Sequence, residues 1–151
     1  MTKFVIGAML LVMLLPSKPI SSSSCKPGEK EKSTSTSHYQ VLKKTNRVRA
    51  TGYCLKGRMS SGVKVFPGAC ALSRDLVREL GLCPPGKSIF NSHWGSIIRL
   101  TGTEDHDGFY VFMDLMPSYQ KRKIDLWLPT AKQCYALGFD KGNKIEVVEK
   151  R

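Results

Sequence analysis

Two carboxylates occupy positions where a solvated charge would be out of place. Asp114 ends the apolar run Phe-Tyr-Val-Phe-Met, and Asp125 stands between Ile124 and Leu126 in Lys-Ile-Asp-Leu-Trp-Leu-Pro. The remaining acids beyond residue 46 (Asp75, Glu79, Glu104, Asp105, Asp107, Asp140, Glu146, Glu149) fall mostly in turns or near the carboxy terminus, where a charge is readily hydrated. If 124–127 is a strand, Ile124 and Leu126 share one face while Asp125 and Trp127 share the other. A carboxyl beside an indole, with water partly excluded, has a raised pKa and suits a general acid working near neutral pH. Asp114 nearby would raise it further. The competing reading is structural, with both acids paired to Lys121, Arg122 or Lys123.

Other chemistry-bearing residues are less pointed. Tyr53, Trp94, Tyr119 and Trp127 could stack on sugar faces or simply fill a core. His106 lies in Glu104-Asp105-His106-Asp107-Gly108, but this run lacks the spacing of a calcium loop, and Asp107-Gly108 is a favoured hairpin pair. No metal and no cofactor is expected. A Cys–His nucleophile using Cys54 or Cys134 with His93 would lose its thiol to disulfide pairing. Of the five cysteines, Cys54, Cys70, Cys83 and Cys134 lie within the domain and contain no CxxC pair. In an exported chain they imply two disulfides with three connectivities. The expected pairing is Cys54–Cys134 with Cys70–Cys83; four buried free thiols are the alternative.

These residues need elements to position them. Met1-Thr2-Lys3, the apolar run Phe4–Leu15 and the small-residue tract Ser21–Ser24 form a secretory signal over residues 1–24. The run is 12 residues long, short of the ~20 a membrane-crossing helix needs. Small residues precede Cys25 as at a lipoprotein processing site, although Ser22 stands where a large aliphatic residue is usual. Lipidation of Cys25 and ordinary cleavage in the serine tract both stay open. Residues 25–46 are rich in Ser, Thr, Lys and Glu and are read as a flexible linker. From residue 47 to 151 short apolar runs alternate with Gly, Pro and Ser: Val48–Tyr53, Val63–Phe66, Cys70–Leu72, Ile97–Thr101, Phe109–Asp114, Ile124–Trp127 and Lys144–Val148. That texture predicts a mainly β domain, a barrel or sandwich. Two short helices are expected, Arg74–Leu80 behind the N-cap Ser73 and Thr130–Leu137 capped by Thr130, stopping at Gly81 and Gly138.

Here the chain resembles the 3D ("three-Asp") domain family. Arg-Ala-Thr-Gly-Tyr-Cys (49–54), Gly-Arg-Met-Ser-Ser-Gly (57–62) and Pro-Gly-Ala-Cys-Ala-Leu-Ser (67–73) are similar to the family's opening segments. Val-Phe-Met-Asp-Leu-Met (111–116), Arg-Lys-Ile-Asp-Leu-Trp (122–127) and Ala-Leu-Gly (136–138) resemble its more specific second half, with the two aspartates 11 positions apart. The resemblance spans about residues 48–149. It implies a six-stranded double-psi β-barrel with one or two short helices, as in membrane-bound lytic transglycosylase A, the stationary-phase survival proteins and the RlpA- and expansin-like proteins. It implies peptidoglycan glycan strands as substrate, Asp125 as catalytic acid/base and Asp114 as its supporting carboxylate. Tyr53, Ser73, Asp75, Tyr119 and Trp127 become expected substrate-binding residues. The chain departs from the family at the third aspartate, where Ser73 stands and Asp75 lies two positions on, and at Met59, where Thr is usual. These departures favour the alternative of a non-catalytic cell-wall glycan-binding module.

Charge agrees with an anionic polymer. The chain has 24 Lys+Arg against 12 Asp+Glu, net +12, and the leader contributes only Lys3 and Lys18 to the excess. Such a surface draws anionic wall polymer and lipid from a distance. With an export signal and no recognisable nucleic-acid motif, nucleic acid is not an expected partner. A monomer is expected, exported to the periplasm or outer membrane, or else secreted to the cell wall, with a Cys25 lipid as the membrane link if present.

Overall fold

The structure, a computed structural model, describes residues 38–151. The leader over 1–24, Cys25 and the linker as far as residue 37 lie outside the described residues. Within them the chain is mainly β. The strands are β1 (Tyr39–Tyr53), β2 (Ala69–Leu72), β3 (Ile97–Thr101), β4 (Gly108–Leu115), β5 (Lys123–Trp127) and β6 (Asp140–Lys150). Helix α1 is Arg74–Glu79 and α2 is Ala131–Leu137, with one 3₁₀ turn at Ile89–Asn91.

The six strands close into a ring in the order β1-β5-β2-β4-β3-β6, with β6 returning to β1. Two neighbouring pairs run parallel, β1 with β5 and β2 with β4; the others are antiparallel. A parallel pair cannot be joined by a tight turn, so each is reached by a long excursion of chain. The excursions hold the residues 54–68 and α1.

The interior follows the alternation. On β5, Ile124 and Leu126 are wholly buried while Lys123, Asp125 and Trp127 are half-exposed. The inward residues Val48, Ala50, Ile98, Leu100, Phe112 and Ile145 meet them from the other strands. β2 is buried along its whole length, as Ala-Cys-Ala-Leu, and Leu76 and Val77 of α1 seal one end of the core.

Three expectations are corrected. The linker ends earlier than residue 46, since Tyr39–Asn46 belong to β1 and pair with β6 through Tyr39↔Lys150, Val41↔Val148 and Thr45↔Ile145. A ladder bonds backbone to backbone, so a segment with little apolar patterning of its own becomes a strand when a partner edge is offered. Val63–Phe66 is not a strand; the loop there holds only an isolated bridge, Arg58↔Lys64. Finally, Ser73 precedes α1 without capping it, because its hydroxyl accepts instead from the Lys123 N–H. Thr130 does cap α2, accepting from the Gln133 N–H.

The register of β5 is locked by a polar cluster at its start. Arg122 has a left-handed backbone, φ 51°, and its guanidinium bridges Glu79 of α1 and donates to Thr45 Oγ1 at 2.8 Å and to the Asn46 carbonyl. Its N–H donates to Asp75 Oδ2 at 3.0 Å. A chain beginning at residue 47 loses both this cluster's Thr45 and Asn46 and β6's outer ladder. Against a chain beginning at residue 38, it is expected to unfold at clearly lower urea concentration, read by circular dichroism; equal midpoints would show that β1's first half adds no stability.

Candidate functional site

Four strands contribute one residue each to a row across the ring. Thr51 of β1 pairs with Asp125 of β5, Asp125 with Ala71 of β2, and Ala71 with Asp114 of β4. With neighbouring strands about 4.8 Å apart, the two aspartate Cα atoms lie roughly 10 Å from one another, separated by a methyl group. The register reaches this arrangement through an irregularity. Cys70 pairs with Phe112, yet Ala71 pairs with Asp114, so Met113 is the extra residue of a bulge. A bulge re-aims the side chains that follow it; without it Ala71 would face Met113.

Asp114 is pinned by the loop that precedes β2. Its Oδ1 accepts from the Ser60 N–H at 2.8 Å, the Ser60 hydroxyl at 2.5 Å and its neighbour Leu115 N–H at 2.8 Å. The loop holds Ser60 in place by folding on itself, with Met59 N–H to Val63 O, Gly62 N–H to Met59 O and Val65 N–H to Gly57 O, and by burying Met59.

Asp125 has the opposite character. Burial pushes its pKa up, and the Asp114 charge adds to this; a hydrogen bond from Thr51 Oγ1 to Oδ1 (2.6 Å) and the nearby Lys123 pull the other way without prevailing. Among the described residues, the ion pairs are Arg99–Glu146, Lys144–Glu146 and Arg122–Glu79. Neither Asp114 nor Asp125 takes part in one, so the competing salt-bridge reading does not describe these two acids.

Both aspartates line one cleft of about 310 Å³, with Tyr53, Lys56, Arg58, Ala71 and Met116 among its walls. Tyr53 is placed as expected for a site residue. Its hydroxyl is buried with no hydrogen-bond partner, and its pKa is pushed far up by burial and by the charges of Asp114 and Asp125. A buried phenol without a partner is a donor waiting for an acceptor.

The other expected substrate-binding residues lie elsewhere. Ser73 is wholly buried and exchanges two hydrogen bonds with the Lys123 backbone, N–H to O and N–H to Oγ, both at 3.0 Å. Asp75 is held below the usual carboxylate range despite the cost of burial, by hydrogen bonds from Ser73 and from the Arg122 N–H. Both residues brace β5 rather than face the cleft. Tyr119 is exposed and outside the cleft wall, Trp127 donates its indole N–H to the Leu55 carbonyl at 3.0 Å, and Trp94 stacks on Phe112. Sequence reasoning missed Thr51 and Ser60, although both lie in segments it singled out. Their roles come from pairing partners 74 and 54 residues away.

The four cysteines among the described residues are free thiols. Burial and the neighbouring Cys54 push the Cys134 thiol up, whereas Cys70 lies in the core and Cys83 donates towards the carbonyls of Pro84, Lys87 and Ser88. Neither expected pairing, Cys54–Cys134 nor Cys70–Cys83, is formed in the structure, and burial pushes the Cys70 thiol far up, which keeps it neutral. Among the described residues no group of three His, Cys, Asp or Glu is placed to hold a metal ion.

No protein-family model matches the sequence, and no curated protein does so. Among solved structures the chain is similar to the Streptomyces papain inhibitor (SPI), with a TM-score of 0.51 and 17% identity over 72% of this chain and 97% of that one. A likeness at that identity concerns the fold.

Three measurements test this arrangement. Asp125 has a folded pKa above its unfolded value of about 3.9, so the folded state keeps the proton longer and stability falls as pH rises through that window. Asp125→Asn is expected to match the wild type in acid and to exceed it in urea resistance at pH 7. By carboxyl carbon NMR, Thr51→Val should raise the Asp125 pKa and Asp114→Asn should lower it; shifts of the reverse sign would refute the assigned causes. In peptide mapping under mild oxidation, Cys54 and Cys134 are expected to crosslink to each other, and Cys70 to resist alkylation until the chain unfolds.

Proposed function

We propose that this is an exported peptidoglycan-cleaving enzyme of lytic transglycosylase type, built on a double-psi β-barrel of the three-Asp kind. The observation that carries the reading is the row in which a half-buried, raised-pKa Asp125 and a pinned Asp114 flank Ala71 and open into one cleft. The ring order and its two parallel pairs, β1/β5 and β2/β4, support the architecture.

A lytic transglycosylase needs one acid/base, because the attacking hydroxyl belongs to the sugar. Asp125, protonated, gives its proton to the glycosidic oxygen between MurNAc and GlcNAc as that bond breaks and positive charge grows at the anomeric carbon. The Asp125 carboxylate then takes the proton of the C6 hydroxyl while its oxygen bonds to that carbon, closing the 1,6-anhydro ring and restoring the acid. Asp114, held by three hydrogen bonds, adds to the burial that raises the Asp125 pKa and stabilises the cationic sugar. Thr51 orients the Asp125 oxygen. Lys56 and Arg58 at the cleft wall suit the carboxylates of muramyl peptides.

One observation favours the second reading, a glycan-binding module without catalysis. Ser73, at the family's third aspartate position, is spent on the Lys123 backbone, leaving two carboxylates rather than three.

Muropeptide mass spectrometry of digested sacculi decides between them. Release of 1,6-anhydro products is expected, falling on the order of 10²–10⁴-fold in Asp125→Asn. Activity should fall as pH rises through the Asp125 pKa, because the proton to be donated is lost. Sacculi that are bound but yield no product at any pH would leave only the binding module.

A further inference from the structure

Asp125 borders a second cleft. On the side away from Asp114, a cavity of about 460 Å³ is walled by Thr51, Gly52, Lys123, Tyr135 and Phe139, with Asp125 at its edge. Both clefts fall in the size range of ligand sites, about 300–1,000 Å³. Their shared wall is the proposed acid.

The second cleft owes its shape to α2. This helix buries none of its own residues and is docked on β1 through Cys134, where Gly52 makes room. A Cβ at Gly52 would come within 2.7 Å of Leu128 Cδ1 and 3.3 Å of Cys134 Cα. With Gly138 turning the chain after α2 at φ 58°, two aromatic side chains are left facing solvent at the cleft. Tyr135 is 85% and Phe139 74% exposed. Two exposed rings beside one cleft suit an amphipathic ligand with flat apolar faces. The Lys123 ammonium sits 5.4 Å from the centre of the Phe139 ring, adding a positive charge to the aromatic platform.

A polymer cut within its length must have sugar on both sides of the acid. We infer that the α2 cleft is the second arm of the glycan groove, a subsite in which Tyr135 and Phe139 carry a sugar ring and Lys123 meets an acidic substituent of the same strand. This rests on the proposed function. It differs from that function in what it assigns: the cleft with Tyr53 and Asp114 holds one side of the scissile bond, and the α2 cleft holds the other. The occupant is the continuing glycan chain rather than a separate partner, because the two cavities meet at Asp125.

The test uses the Asp125→Asn chain, which holds saccharides uncut, and calorimetric titration with GlcNAc–MurNAc oligomers of two, four and six sugars. Affinity is expected to rise with length as the strand comes to span both arms. In Tyr135→Ala and Phe139→Ala that rise should shrink roughly three- to tenfold per ring removed, and in Tyr135→Trp and Phe139→Trp it should return. The rings are exposed, so folding is not at stake, and circular dichroism verifies it. If the length dependence survives loss of both rings, the second arm is overturned while the proposed function stands. If neither wild type nor Asp125→Asn binds any oligomer, the proposed function itself fails and takes the subsite with it.

Discussion

The candidate site depends on how β2 is registered between β4 and β5. β2 offers only four residues, all buried, and its third, Ala71, is bonded to Asp125 on one side and Asp114 on the other. The bulge between Cys70 and Ala71 carries the ladder past Met113. A slip of one residue would turn Asp114 to the opposite face and leave Asp125 beside a methionine. The buried alanine is also what leaves space, since a longer side chain between the two acids would fill the cleft they share. Leu72, one step on, is wholly buried and ties this register to the core.

Around that register the two acids are treated differently, and their different roles follow. Asp114 accepts three hydrogen bonds from donors that the 54–68 loop and the β4 backbone present, and they fix its carboxyl group in place. Asp125 receives one from Thr51 and otherwise suffers burial and a like charge. Two carboxyl groups of the same chemistry are thus held differently, one pinned by hydrogen bonds and the other with its pKa raised by burial and its neighbour's charge. A raised pKa is what a general acid working near neutral pH requires. It works against stability at neutral pH, and the bracing of β5 by Ser73, Asp75 and Arg122 holds Asp125 where it is despite that cost.

The same bracing accounts for residues that seemed functional and proved structural. Ser73 and Asp75 sit beside the strand that carries Asp125 and bond to backbone at its start, Ser73 to Lys123 and Asp75 to the Arg122 N–H. α2 shows the converse. Its periodicity reads as an ordinary capped helix, but it packs through a cysteine onto a glycine and leaves Tyr135, with Phe139 just beyond its end, facing a cleft.

The sequence by itself determined the mainly β class, the inward Ile124 and Leu126 with Asp125 on the opposite face, the cap at Thr130 and the two aspartates worth attention. All of these rest on local pattern: a period of two, a capping hydroxyl, a charge lodged in an apolar run. Only the tertiary structure decided that Thr51 supports Asp125, that Ser60 pins Asp114, that Tyr53 of their shared cleft wall has a buried hydroxyl without a partner, and that residues 39–46 join a strand. It also decided that Trp127, Tyr119, Ser73 and Asp75 stand outside the cleft, and that Cys70 and Cys83 do not meet. Each of those facts is a pairing between segments far apart in the chain, set by which strand edges the ring closes together. Side-chain pattern says which face a residue takes, whereas its neighbour across the sheet is chosen by register, and register is a property of the whole closed ring.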